Sequence, residues 1–434
     1  MRDITLPLLA AVLALQSTGC LTAQVKLRDL PDVARGRAER LRPKQIAALE
    51  PFWADLSLDY DNNQQFLDER IAAAAELGDS VVPLLLEKLT PMQSGDSARN
   101  LAGNCRRVLE RLDPSSFVDA LAELARGNHG TAKSEAIVLL GYADDPQSTA
   151  VLAGLLDDAS TWHRWQIVRS LRNLRAPGPA DKVVKFLGAD DRGLRDEVLA
   201  YLTAAKADRV APTVIQALGA ESDDRLLTSY IDYFASCVRQ DAAATEALLP
   251  LLNRDRIDWQ DTLKLIQALA VVSPRRFEPA VRKLNELIES NDTSSLAVSA
   301  AVALRALGDK NGVTRLKRSL DDKIRRRKRE ASLYEQRARL LFAIGEFGDA
   351  ADDYEKIVDY AEGAAMTRRA YQGLLKSEAR RSKIQNVVKH MRGSGMSPEE
   401  FVRLAAEDEP FREAMKHDRV QAFLKQLRKS RAPK

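Results

Sequence analysis

The sequence predicts an all-α protein, an α-solenoid of stacked helix pairs, and three observations carry that reading. The first is an internal period: Leu140, Leu171 and Leu202 stand 31 residues apart, and Leu156, Leu187 and Leu218 follow each of them by 16. The second is composition. Hydrophobic residues make up 45% but aromatics only 6%, so Ala, Leu and Val must fill the core, which suits closely stacked helices better than sheets. The third is spacing inside the period. Leu152, Leu155 and Leu156 share one helix face at 100° per residue, as do Val183, Phe186 and Leu187, and Val214, Ala217 and Leu218.

The same 16-residue step joins Val108 to Leu124 and Leu304 to Leu320. Looser anchors at Ala73, Phe234 and Leu269 extend the series to about eight units. A single helix pair cannot bury two apolar faces, whereas stacked neighbours make one continuous core. Leu194-Arg195, and more loosely His163-Arg164, recur at one place in the first helix; the pattern lapses at Leu226-Leu227 and Leu296-Ala297. On these residues the stretch 66–322 resembles the HEAT repeat family, especially its shorter bacterial variety. The resemblance implies a binding scaffold whose second helices line the concave side of the array.

A basic connecting segment, 323–330, opens with the run from Lys323 to Arg329 and precedes a second pattern. Tyr334, Ala338, Leu341, Gly345, Phe347, Ala350, Tyr354 and Ile357 have spacing that resembles a tetratricopeptide repeat. Small residues there allow two helices to approach and large ones fill the gap. Arg337 stands where that pattern has an apolar residue, and Ile357 where it has Ala. Tetratricopeptide-like helices are therefore expected over 331–391, with 370–391 a worn second copy. Gly393-Ser394-Gly395 breaks the chain, and Ser397, Pro398 and Glu400 supply an N-cap, a first-turn proline and a capping-box acid. Residues 392–434 read as capping helices with a basic tail, which a repeat array needs at its end.

At the amino terminus Arg2 precedes an apolar run from Ile4 to Leu15, then Ser17-Thr18-Gly19-Cys20. That run has signal-peptide length and is too short to span a bilayer. The tetrapeptide resembles the bacterial lipobox, although Ser17 replaces Leu and Asp3 weakens the positive end. Residues 1–23 are read as a signal peptide, with lipid on Cys20, plain cleavage near Leu21-Thr22-Ala23 or no cleavage as the alternatives, and 24–65 as an N-terminal helical segment. The resemblance implies export to the bacterial cell envelope, on the periplasmic side and lipid-anchored. Leu21 in place of an inner-membrane Asp points to the outer membrane. Cys105 and Cys237 lie about four helix pairs apart, on the order of 40 Å, which excludes an intrachain disulfide; both read as small core residues.

Chemistry is harder to find. Asp157-Asp158, Asp190-Asp191, Asp223-Asp224 and Asp321-Asp322 recur in phase with the helices, so they read as caps and not as catalytic pairs. Asp59-Tyr60-Asp61-Asn62-Asn63 starts like a calcium loop, but Gln64 and Arg70 stand where glycine and glutamate are required. His129, His163, His390 and His417 have no metal-ligand spacing and no following glutamate. The HEAT-like iron hydroxylases depend on such His-Glu pairs. No nucleophile elbow, phosphate loop or dinucleotide fingerprint occurs. No catalytic residue, cofactor or metal is therefore expected. The alternative is a HEAT-like lyase, such as a phycobilin lyase, or another enzyme whose site is dispersed over several repeats and leaves no local motif.

The expected function is a non-enzymatic protein-interaction scaffold. Trp162, His163 and Trp165 cluster at the start of one first helix, where aromatics either fill space between units or anchor a partner; packing is the expected role. Lys182 with Lys185, Arg282 with Asn285 (anchored on Leu287), and Arg315 with Arg318 occupy outward positions of second helices. They form either a solvated face or a basic stripe for an acidic protein partner. Net charge is only +4, so nucleic acid is not expected.

Overall fold

The computed structural model describes residues 52–89, 96–128, 130–157, 159–253, 257–290 and 294–431. The signal peptide, Cys20, most of the 24–65 segment, His129 and Asp158 lie outside them. Among the described residues all regular structure is helical, and no helix is long and apolar enough to cross a membrane. Two compact units divide between Cys237 and Val238.

The first unit contains α1 (Gln64–Ala75), α2 (Val82–Lys88), α3 (Asp96–Arg111), α4 (Val118–Arg126), α5 (Gly130–Leu140), α6 (Pro146–Leu155), α7 (Thr161–Leu174), α8 (Ala180–Val183), α9 (Arg192–Ala204), α10 (Ala211–Ala220) and α11 (Leu227–Cys237). First helices stack on one another, α3 on α5, α5 on α7, α7 on α9 and α9 on α11. The anchors Val108, Leu140, Leu171, Leu202 and Phe234 are fully buried between them. Two anchors are displaced, the looser Ala73 and Leu124 on the 16-residue step. Ile71 and Ala74 are buried where Ala73 was expected, and Leu121 and Ala125 where Leu124 was. One residue is 100° of helix rotation, so an anchor assigned one position off marks a different face of its helix.

Stacking in register is visible in side-chain bonds that reach the preceding unit. Ser170 donates to the Ile137 carbonyl at 2.8 Å, Tyr201 to Ala176 at 2.7 Å and Tyr233 to Ala207 at 2.8 Å. These donors occupy one column of the repeat, and each satisfies a backbone oxygen that burial would otherwise leave unpaired. Gly141 lets two first helices meet: a Cβ there would lie 2.7 Å from Ser170 Cα. The first-helix arginines close the turn before them. Arg195 donates to the carbonyls of Ala189 (2.7 Å) and Asp190 (3.1 Å), and Arg164 to those of Leu156 and Asp157, both at 3.2 Å. Both bind oxygens that a terminating helix exposes. In the next unit Leu226 stands in that place, and Arg225 instead grips Asp223 at 2.7 Å, holding its carboxyl down at about 2.

The acid pairs divide. Asp191 caps α9 by accepting from Leu194 N at 2.6 Å, and Asp223 caps the turn before α11. Asp157 caps nothing: Ser160 holds the α7 N-terminus, and Asp157 pairs with Lys182 at 3.3 Å. Asp321 is no cap either, because the helix that holds it does not end there.

The second unit runs through α12 (Ala242–Leu248), α13 (Trp259–Val272), α14 (Glu278–Ser290), α15 (Ser295–Ala306), α16 (Asn311–Arg326), α17 (Ala331–Ile344), α18 (Phe347–Tyr360), α19 (Ala364–Arg380), α20 (Ile384–Gly393), α21 (Pro398–Glu407), α22 (Glu409–Met415) and α23 (Asp418–Arg431). Here the units are joined backbone to backbone. Asp241 N donates to the Val272 carbonyl (2.7 Å) and, 35 residues later, Arg276 N to that of Leu307 (2.8 Å). Lys323–Arg326 form the last turn of α16, where positive side chains complement the helix dipole; only 327–330 connect. In α14 the core takes Ala280, Leu284 and Ile288, one position beyond the Leu287 anchor. Gly345, at φ +89°, ends α17 in the left-handed conformation. Gly373 on α19 faces the Tyr354 ring of α18, which a Cβ would meet at 2.4 Å.

Arg337 on α17 has a reason to break an apolar pattern. It makes a bidentate bond to Asp353 of α18, at 2.8 and 2.6 Å, and a third bond to Asp321 of α16 at 2.6 Å. One guanidinium thus joins three helices, with the Asp353 side chain only 5% exposed. At the C-terminal end Ser397 and Glu400 form the expected capping box, at 3.3 and 2.8 Å.

Candidate partner-binding surfaces

On α7, Trp162, Trp165 and Arg169 follow one another at three- and four-residue spacing, so they share a face. The two indoles stack with centroids 5.5 Å apart and planes 16° from parallel. The Arg169 guanidinium lies 5.2 Å from the Trp165 ring, within cation–π range. Trp165 is half-buried and serves the packing role expected of it. Trp162 does not, being 61% exposed. The Trp165 indole covers one face of the Trp162 ring, and the equivalent positions of the neighbouring units hold the small residues Thr131 and Gly193. His163 between them is tied down, with Nδ1 2.9 Å from Ser160 Oγ and Nε2 3.3 Å from Ser134 Oγ. Burial, then the Lys133 charge, lowers its pKa.

The basic positions are exposed but unequal. In the first unit Lys182 is paired with Asp157, while Lys185 is exposed. In the second, Arg315 bonds Glu289 and Asn285, both at 2.7 Å, and Arg282 approaches Glu278 at 3.9 Å. Arg318 is exposed. In the run after it Arg325 pairs with Asp322 and Arg327 with Glu330 at 2.8 Å. Much of this positive charge is therefore neutralised locally, which a list of basic residues does not reveal.

Acidic side chains that are buried are mostly held by arginines: Glu197 by Arg172 at 2.9 Å, Glu335 by Arg339 and Arg369 at 2.7 and 3.1 Å, and Asp408 by Arg380 at 2.7 Å. Burial raises the Glu197 pKa against that pairing. Cys105 is fully buried, which pushes its thiol up to about 12. Half-buried Cys237 points its sulfur at the Leu202 and Thr203 carbonyls. Asp59, in the calcium-like stretch, accepts from Asn62 N at 3.3 Å in a turn. No cluster of three or more metal-ligating side chains occurs among the described residues.

Two features escaped the sequence reading. Trp259, the first residue of α13, is 54% exposed, and only its position next to the Asp258 cap could have suggested this. The other is a groove of about 350 Å³ between α20 and α23, lined by Gln385, Val388, Arg392, Arg419, Ala422, Phe423 and Gln426. Its residues follow helical spacing on both helices, a signal hidden by the tail's high charge.

A family comparison agrees with the repeat geometry over part of the chain. The family model described as HEAT repeats matches residues 118–203, the stretch from α4 into α9. No curated protein matches the sequence. A solved structure titled as that of an engineered protein aligns with 88% of this chain and 98% of its own, at 16% identity and a TM-score of 0.37. The bonds from Ser170 and Tyr201 that repeat in register lie on the helices that the family model matches, so residues 118–203 resemble HEAT repeats in both sequence and geometry.

Proposed function

We propose that the chain is a non-enzymatic protein-interaction scaffold of the bacterial cell envelope, anchored by lipid on Cys20. HEAT repeats in general suggest protein interaction, and the observation that carries the reading here is Trp162. An aromatic ring left in water departs from the repeat, unlike the buried anchors, so the stacking of units does not account for it. Large rigid aromatics beside an arginine are the residue types that dominate interface energetics. The tetratricopeptide reading of 331–391 is part of the proposal, supported by the Gly345 turn and by the fit of Tyr354 against Gly373. Binding on the second-helix side is the further part, with Lys185 and Arg318 as the cations left to meet an acidic partner.

A photo-crosslinking amino acid at position 162, in cells expressing the full chain, tests the reading. One protein adduct of defined mass, lost when Trp165 and Arg169 are also replaced, is expected. A chromophore or metabolite that copurifies with the native chain, with no protein adduct, would instead favour the dispersed-site enzyme. Intact mass of the native protein reports the anchor. Cleavage after Ala23 without lipid would remove the Cys20 part of the proposal.

A further inference from the structure

The groove between α20 and α23 lies within the second unit and was not among the surfaces expected from sequence. Its floor is apolar, made by Val388, which is buried, and Phe423, 9% exposed. Its rim carries two guanidiniums, Arg392 and Arg419, and two amides, Gln385 and Gln426. No carboxylate lines it. The Arg392 guanidinium stands 5.7 Å from the Phe423 ring, and Arg419 sits one helical turn before that ring on α23.

The arginines around this groove behave differently. Arg368 bonds Glu400 at 2.7 Å, Arg380 bonds Asp408 at 2.7 Å and Arg381 bonds Glu378 at 2.9 Å. Among the described residues Arg392 and Arg419 have no such acid against them, and they share the same apolar floor. The two helices together carry seven lysines and arginines against one acid, Asp418. A lining with paired donors and no acceptor charge is complementary to carboxylates. Phe423 and Val388 between them suit an apolar side chain.

We infer that this groove is a docking site for an acidic segment of a partner protein, in which carboxylates flank an apolar residue. Charge complementarity selects that occupant. Two arginines within reach of one aromatic ring can grip carboxylates bidentately while the ring takes the side chain between them. The inference deepens the scaffold reading by naming the partner's chemistry, and it concerns a surface separate from Trp162.

The test is fluorescence anisotropy on the full chain, with a labelled peptide of glutamates flanking a central leucine and its lysine counterpart as control. The acidic peptide should bind, weaken as salt rises, and lose about tenfold in affinity in R392Q/R419Q. Circular dichroism should be unchanged in that variant, since both side chains are exposed. The neighbouring variant K425Q/R428Q removes equal charge from α23 outside the groove and should bind nearly as well as the native chain. The inference is overturned if the acidic peptide fails to bind, if both variants lose affinity equally, or if phosphatidylglycerol vesicles and not the peptide require Arg392 and Arg419. The crosslinking experiment at position 162 separates the two readings: peptide binding by the native chain with no protein adduct at 162 leaves the groove standing alone.

Discussion

Replacing Arg337 with methionine keeps the length of the side chain and removes its charge. Asp353, 5% exposed, would then lose both of its guanidinium bonds. Asp321, 38% exposed, loses one but can be resolvated. Breaking a buried ion pair by removing one partner costs about 3–5 kcal/mol, whereas an exposed pair contributes about 0–1 kcal/mol. The Asp353 side of the network therefore dominates. Arg337 is itself 22% exposed, so the lower end, about 3 kcal/mol, is expected. With a urea dependence of roughly 2–3 kcal/mol/M, the unfolding midpoint of the second unit should fall by about 1 M, read by circular dichroism. The double variant R337M/D353L should recover most of the loss, since well-packed apolar replacement of a buried pair is often neutral. Burial already raises the Asp353 pKa against the opposing Arg337. In R337M its folded-state pKa should lie above the unfolded value, so the deficit should shrink as pH falls through the carboxyl range. A loss below about 1 kcal/mol, or a double variant no better than the single, would refute the argument.

Three further outcomes are expected. G141V should destabilise the first unit by about 1–3 kcal/mol, measured as a lower urea midpoint, because its Cβ would strike Ser170; an unchanged midpoint would mean the two helices part freely. His390 is 5% exposed, and burial, then Lys389, lowers its pKa against the pull of Glu355 and Glu378. Its folded pKa is thus below the unfolded value, so stability should be lost as pH falls through the ordinary imidazole range, and H390Q should flatten that slope in urea midpoints compared at pH 7.5 and 5.5. Replacing Lys182, Lys185, Arg315 and Arg318 together with serine should leave the helical signal intact and weaken partner capture at low salt, with K185S/R318S accounting for most of the effect because the other two are locally paired.

The fold was most legible in sequence along the 31-residue interval of the first helices. Leu140, Leu171 and Leu202 keep a 31-residue interval, and all three are fully buried. Ala73, Leu124 and Leu287 did not hold their expected places, since a one-residue error rotates the assigned face by 100°. The capping role was legible for Asp191 because an N-cap needs only the next turn of its own chain. It failed for Asp157 and Asp321 because Lys182 and Arg337, 25 and 16 residues away, compete for those carboxylates.

Sequence alone determined the helical class, the unit length and the buried column, because apolar spacing along one helix is a local property that every copy repeats. Tertiary structure decided what each polar exception is for. Arg337 reads as a defect in a helix pattern until Asp321 and Asp353 arrive from two other helices. Trp162 reads as filler until the structure leaves it 61% exposed. Arg392 and Arg419 are two charges in a basic tail until α20 and α23 bring them to one apolar floor. In each case the partner is set by which helices stack, and the strength of a charge or a ring depends on the water that stacking removes.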